Sequence, residues 1–458
     1  MMSTCPRLDR GDVRGVLVAG AVLLCVIAWQ STANSQNFGT TQSFPGGVAI
    51  DAEGMLKNAT VDELGKVRQQ TLEALKQVPQ ELNGRLATRK VSLRRLDAEI
   101  RKCQEAGKPL PAEIVCLAGL QQIEYVLVLP EQKDLVLVGP GEGWKVDAKG
   151  NLVGATTGRP VMLLDDLVVA LRAANNPQPA VFSCSIDPTP AGLQRLSIHA
   201  RKLQTIGNPQ QTAQGIEEQL GAQKITVTGL PETSHFASVM VAADYRMKRI
   251  SMGIEAAPVT NLPSFVNLMK ASGQGMRNML PRWWLAPNYE PLLRDAEGLT
   301  WQLRGASVKT MAEEDLVDAS GNRQHTGKAD VVSQRWADAM TARYEDLAQV
   351  EPVFGQLRNC MDLAIVAAIV ARERLVEKAQ TSLPMLLDSS GIQTANLPAP
   401  KQVASKAVVV NKGKKWIIAC GGVQINPWAI VEKSESKASL GDIRAKATLA
   451  SDTAWWSN

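Results

Sequence analysis

The chain is poor in the residues from which most active sites are assembled. Its 458 residues include three histidines, seven cysteines, four tyrosines and six phenylalanines. Transition-metal centres draw on closely spaced Cys and His; no pair here has that spacing, and no metal or other cofactor is expected. The cysteines are too sparse for a disulfide scaffold. A dominant charge is missing as well: 50 Lys and Arg stand against 45 Asp and Glu, a formal net charge of +5. That imbalance is too weak to argue for nucleic acid as a partner. No apolar run reaches the ~20 residues of a spanning helix, so the mature chain is expected to lack a stable membrane span. The glycine-rich stretch 139–143 lacks the Lys-Ser/Thr and helix that make a phosphate loop.

What is present begins with the first 35 residues. Arg7, Arg10 and Arg14 precede an apolar run at 15–28, and polar residues follow, ending in Ala33-Asn34-Ser35. That is the layout of a secretory signal peptide. Cleavage near Ser35 is expected, with export to the periplasm or the extracellular space. The cut removes three basic and two acidic residues, taking one unit off the net charge of +5. Five cysteines remain: Cys103, Cys116, Cys184, Cys360 and Cys420. Cys103 and Cys116 flank the stiff turn at 107–111 and are the candidate disulfide. Two buried thiols are the other reading, since pairing is not deducible from sequence.

Thr60 and Glu63 form a capping-box pattern that opens a helix ending at Pro79. Leu82, Leu86, Leu93, Leu96, Ile100 and Cys103 then mark one face of a second helix, whose other face, with Arg89, Arg94, Arg95 and Asp97, reads as solvated. Short apolar and β-branched runs separated by loop residues predict β-hairpins at 125–138 and 144–153 and strands at 180–183 and 225–229, with a helix opening at Asp165-Asp166 and another from Ser234. Strand character returns at 281–311, with a turn at 318–322. Two long helices follow, the second apolar on every side from 363 to 371 and therefore buried. A Ser/Pro/Ala-rich crossing leads to a hairpin at 407–419, which Gly421-Gly422 break, and to a loose tail. The fold class is α+β: mixed α/β sandwich layers with an N-terminal helical hairpin, a long C-terminal helix pair and peripheral β-hairpins. The expected segments are the leader at 1–35, a flexible start and helical hairpin at 36–110, an α/β domain at 111–260, a second α+β unit at 261–380, and a linker, hairpin and tail at 381–458.

Three constellations could carry function. Cys184, at the end of a strand, and His235, at the start of a helix, are the pair that suggests nucleophilic catalysis, because a thiol needs a base to react at neutral pH; the plainer reading is a buried thiol and a capping imidazole. Asp244 and Lys248 sit four apart on a helix with the acid first, the favourable order for a helix ion pair. Arg282-Trp283-Trp284 places consecutive tryptophans on opposite faces of a strand, one buried and one able to stack on a sugar ring or a partner's side chain.

Several motifs occur together: 139–144 (GPGEGW), 158–160 (GRP), 164–167 (LDDL), 184–189 (CSIDPT), 243–248 (ADYRMK) and 281–284 (PRWW). Over roughly residues 60–375 the chain resembles a family of uncharacterised, exported planctomycete proteins carrying a domain of unknown function. The resemblance implies export and a common fold and supplies no active site. Two functions are carried forward. The first is a non-catalytic exported binding protein, with another exported protein or a glycan as partner. The second is a hydrolase-like enzyme using Cys184 and His235, or a cluster of Asp187, Asp244 and Arg282. A degenerate enzyme fold is the third possibility.

Overall fold

Short β-branched runs scattered along the whole chain find their partners far away in sequence. The structure is a computed structural model that describes residues 42–51, 53–74, 78–176, 178, 180–202, 208–272, 280–317, 323–410, 415–447 and 454–458. The expected leader, the turn at 318–322 and most of the loop at 411–415 lie outside the described residues. The first strands are β1 (Gln42–Phe44), β2 (Val48–Ile50), β3 (Met55–Asn58), β4 (Leu86–Ser92), β5 (Tyr125–Leu129), β6 (Asp134–Gly141), β7 (Trp144–Val146) and β8 (Leu152–Gly154). Next come β9 (Phe182–Asp187), β10 (Gln223–Thr228), β11 (Pro281–Tyr289), β12 (Leu293–Arg294), β13 (Thr300–Gln302), β14 (Gly305–Val317) and β15 (Arg323–His325). The last are β16 (Gln402–Val403), β17 (Val408–Val410), β18 (Lys415–Ile417), β19 (Cys420–Ile425), β20 (Glu435–Ser436) and β21 (Trp456–Ser457).

A ten-stranded sheet runs β1-β2-β3-β16-β10-β9-β19-β11-β14-β15, and a seven-stranded sheet runs β20-β12-β13-β5-β6-β4-β21. Pairing is antiparallel except at β3–β16, β11–β19 and β12–β20. The helices that position the functional residues are α1 (Val61–Ala74), α2 (Leu93–Glu105), α3 (Ala112–Val115), α4 (Leu164–Ala174), α5 (Pro190–Lys202), α6 (Pro209–Leu220), α7 (His235–Ser251), α8 (Phe265–Ser272), α9 (Val331–Ala342), α10 (Tyr344–Val350) and α11 (Pro352–Arg372). The class is α+β. The hairpins β5–β6 and β7–β8 form as expected, Tyr125 opposite Val138 and Trp144 opposite Gly154.

α11 is the axis of the core. It is apolar and long enough at 21 residues to cross a membrane by composition, and it is instead buried in the fold, packed on α4, α7 and α10. Asp362, which directly precedes the apolar stretch 363–371, lies mid-helix at 1% exposure. It is accommodated because Tyr289 Oη (2.5 Å) and Ser307 Oγ (3.3 Å) donate to Oδ1 and the Ile123 amide (3.3 Å) to Oδ2.

Several expectations are corrected. The N-terminal helical hairpin is interrupted: residues 86–92 are strand β4, and the second helix starts at Leu93 with Ser92 as its cap. Alternation beat helical spacing here because β6 supplies a partner strand, Val91 facing Leu137. Arg89, expected on a solvated helix face, is fully buried and donates to the carbonyls of Leu82, Gly84 and Ala118. The capping box at Thr60 and Glu63 forms, yet Val61 at the start of α1 is 85% exposed. The first long C-terminal helix breaks at Arg343 into α9 and α10. Gly421 and Gly422 continue β19 rather than break it: Gly421 has φ +140°, and a β-carbon there would collide with the carbonyl of Trp283. The tail docks as well, with β21 on β4 and Trp455 buried.

The segments drawn after residue 35 do not close on themselves. The large sheet joins β3, β10, β11 and β16, one from each of them, and the described residues form one unit. The motif at 139–144 is structural. Its Glu142 is buried and accepts from Gln121 (2.8 Å) and the amides of Thr156 (3.2 Å) and Thr157 (3.0 Å). Burial opposes ionisation of Glu142, and these hydrogen bonds outweigh it, holding the carboxyl below its usual range.

Candidate functional site

α7 places polar groups in the interior. Ser234 Oγ caps it by accepting from the Ala237 amide (3.1 Å). Phe236, Val239, Met240, Ala243, Met247 and Ile250 are buried, as the helical spacing requires. The Asp244–Lys248 pair is buried too, at 0% and 7% exposure, because β9 and β19 cover one side of the helix and α11 another. Lys248 Nζ donates to Asp244 Oδ2 (2.9 Å), Ile186 O (2.8 Å) and Gly421 O (3.2 Å), which uses all three of its hydrogens. Asp244 Oδ1 is buried without a partner. Burial pushes the Asp244 carboxyl up to about 6, Lys248 opposes this, Asp187 adds to it and Arg282 opposes it.

Asp187, Asp244 and Arg282 therefore share one electrostatic neighbourhood, and Cys184 belongs to it. Cys184 lies within β9, between Val227 and Val423, and not where the strand ends. It is 3% exposed, and burial first and Asp244 second push its thiol well above the ordinary range. That direction disfavours the thiolate.

His235 lies in a separate cluster. Its Nδ1 is 3.0 Å from both carboxylate oxygens of Asp166 in the first turn of α4. Burial alone would lower the ring, but the charge and hydrogen bond of Asp166 outweigh it and raise the pKa. The buried Cys360 thiol also hydrogen-bonds Asp166, and burial and that carboxylate hold it protonated. The carboxylate thus stands between thiol and imidazole, whereas a nucleophilic triad needs the imidazole in the middle. The expected Cys184–His235 pair does not meet by any hydrogen bond among the described residues. Cys103 and Cys116 do not form the expected bridge either: both are free thiols, Cys103 half-buried on α2 and Cys116 turned fully into the core.

At the sheet edge Trp283 is fully buried, packed on Phe265 and Trp336 at centroid distances of 4.9 and 4.7 Å. It is therefore a core residue rather than a contact residue. Trp284 faces the other way, half-buried, with the Arg282 guanidinium 5.9 Å from its ring centroid. Arg282 Nη1 also lies 3.2 Å from His325 Nδ1, which is 2.9 Å from Asp315 Oδ1. Glu313, Asp315 and His325 bring ligand atoms within 4.8 Å of one another, a metal-compatible set. The adjacent Arg282 cation weighs against a divalent ion there.

A pocket of about 200 Å³ opens beside the two-residue strand β16, where it joins β3 to β10. Leu56, Ile186, Met252, Ile254, Val403, Ala404 and Ala419 supply its apolar wall. Its charged lining is Lys57, Lys248, Arg249 and Lys406, with Gln223 and Tyr245 completing it. Of the residues expected to carry function, only Lys248 lines it; Cys184, Asp187, His235, Asp244, Arg282, Trp283 and Trp284 do not. The sequence carried no signal for it because its walls come from strands and a helix more than 300 residues apart. Only the motif at 243–248, with its Asp244–Lys248 pair, pointed to α7.

No match was found among curated proteins or among solved structures. The stretch from Cys184 through β9, β10 and α7 to Phe265 supplies seven of the pocket's thirteen lining residues and includes the motifs at 184–189 and 243–248. Those residues, 184–265, match the family described as "Protein of unknown function (DUF1598)", so the chain contains that domain.

Proposed function

We propose that the protein is an exported, non-catalytic binding protein whose ligand site is the pocket between α7 and the β3–β16–β10 part of the large sheet. One observation carries this reading. The groups that could do chemistry, Cys184, Asp244 and His235, do not line that pocket, while the pocket itself takes most of its lining from the matched domain. Pockets of mixed apolar wall and few polar groups are typical of small-molecule sites. Export rests on the leader layout at residues 1–35. Arg282 and Trp284 form a second, shallower contact surface on the reverse face of β11, suited to stacking on a sugar ring or a partner's side chain.

The test is a panel of small amphipathic compounds screened by thermal denaturation of the mature protein. A compound that binds the folded state alone raises Tm. Ala404, exposed on the pocket wall, is replaced by tryptophan to plug it. Compounds that raise Tm in the wild type and have no effect on Ala404→Trp support the reading. A panel in which every shift survives the plug overturns it.

A further inference from the structure

We propose that the ligand of this pocket is a small amphipathic anion, with a compact anionic head held at the Lys57–Lys406 rim and a short apolar body against Ile186, Met252 and Val403. This rests on the binding reading above and names the ligand class.

Charge complementarity comes first. Every charged residue lining the pocket is a cation, and no Asp or Glu contributes to its wall. Their carboxylate partners stand behind them: Glu63 beside Lys57 at 3.9 Å, Glu217 beside Lys406 at 3.1 Å, and Glu255 beside Arg249. In each pair the cation lines the cavity and the carboxylate residue does not. The four cations are not equally available. Lys248 is committed to Asp244 and two backbone carbonyls deep in the fold. Arg249 is held by Glu255 and lies against the Tyr245 ring and hydroxyl. Lys57 and Lys406 are exposed side chains, at 42% and 50%, in single ion pairs. Exposed ion pairs of this kind contribute little. Both ammonium groups can therefore turn onto a bound anion without loss of fold stability.

The apolar half of the ligand follows from the wall. Ile254 is among the few large apolar residues left exposed, at 37%, and it stands at this pocket. The methylene stems of Lys57 and Lys406 extend the same apolar surface toward the rim. A cationic ligand would meet four positive charges, and a purely polar anion would leave the apolar wall wet.

The experiment is calorimetric titration of the mature protein with octanoate, octan-1-ol and octylammonium, on wild type, Ala404→Trp and the double variant Lys57→Gln/Lys406→Gln. The expected result is saturable 1:1 binding of octanoate, abolished by the plug. The double variant should weaken octanoate about tenfold while octan-1-ol is unchanged, and octylammonium should not bind. Octanoate affinity should also fall with added salt. If octan-1-ol and octanoate bind equally, both blocked by Ala404→Trp, the charge assignment is overturned and the binding pocket stands. If no probe gives plug-sensitive binding, both are overturned. Both rim lysines are exposed, so the double variant is expected to fold, and an unchanged Tm checks it.

Discussion

Lys248 shows how a side chain that reads as surface becomes structural. Its ammonium ties α7 to two strands through Ile186 O and Gly421 O, and to Asp244 within the helix. Removing one partner of a buried ion pair costs about 3–5 kcal/mol, because the other charge is left uncompensated. Lys248→Met is therefore expected to lower the unfolding free energy by that order, and adding Asp244→Asn to recover part of the loss. A double-variant loss equal to the sum of the Lys248→Met and Asp244→Asn losses, read from urea melts, would show that the pair is not coupled. Asp362 contributes, alongside Asp244, to the pH dependence. Burial lifts its carboxyl from 3.8 to about 6, against the opposing hydrogen bond of Tyr289. Between those values the folded state holds more protons than the unfolded chain, so stability falls as pH rises through this window and stays low above it. In Asp362→Asn the amide can donate to the Tyr289 and Ser307 oxygens and accept from Ile123, and the titration is gone. The variant should make the wild-type decline in Tm between about pH 4 and 6 shallower, with Asp244 accounting for part of what is left; an unchanged decline would refute the assignment. The i,i+4 order made the Asp244–Lys248 pair legible in sequence, but its burial was not, because that depends on what covers the helix.

At the level of elements, strands and caps were read from local pattern and the exceptions came from partners. Apolar and β-branched runs bounded by loop residues located β5, β6, β7, β8 and β10, and Ser234 announced α7. Residues 82–103 fit a helical stripe equally well, and β6 decided for a strand over 86–92 by offering an open ladder. Gly421-Gly422 reads as a break in isolation. In the sheet it is what lets β19 lie between β9 and β11, since a side chain at Gly421 would strike the Trp283 backbone. Gly421→Val is expected to destabilise strongly, combining a strained positive φ with that collision. The measurements are the Tm and the near-ultraviolet circular dichroism of Trp283, which stacks on Phe265 and Trp336. A Tm within about 1 °C of wild type would contradict this role for the glycine, since 1 kcal/mol moves Tm by several degrees in a small domain.

At the level of the whole molecule, the matched domain is not self-sufficient. β9 pairs with β19, β10 with β16, and α7 packs on α11, all from beyond residue 265. A fragment comprising 184–265 should therefore show no cooperative thermal transition, while the full mature chain does. Cooperative unfolding of the isolated fragment would show that the domain boundary is real and the shared sheet incidental. The class α+β, the buried apolar helix and the leader layout were all present in composition and periodicity, which are properties of neighbouring residues. Which polar groups are interior, which strands are central, and where a pocket opens depend on contacts between segments hundreds of residues apart. Local pattern holds no record of those contacts. They arise only when the chain closes on itself, bringing Leu56, Ile186, Lys248 and Val403 around one cavity and enclosing Asp362 in the core.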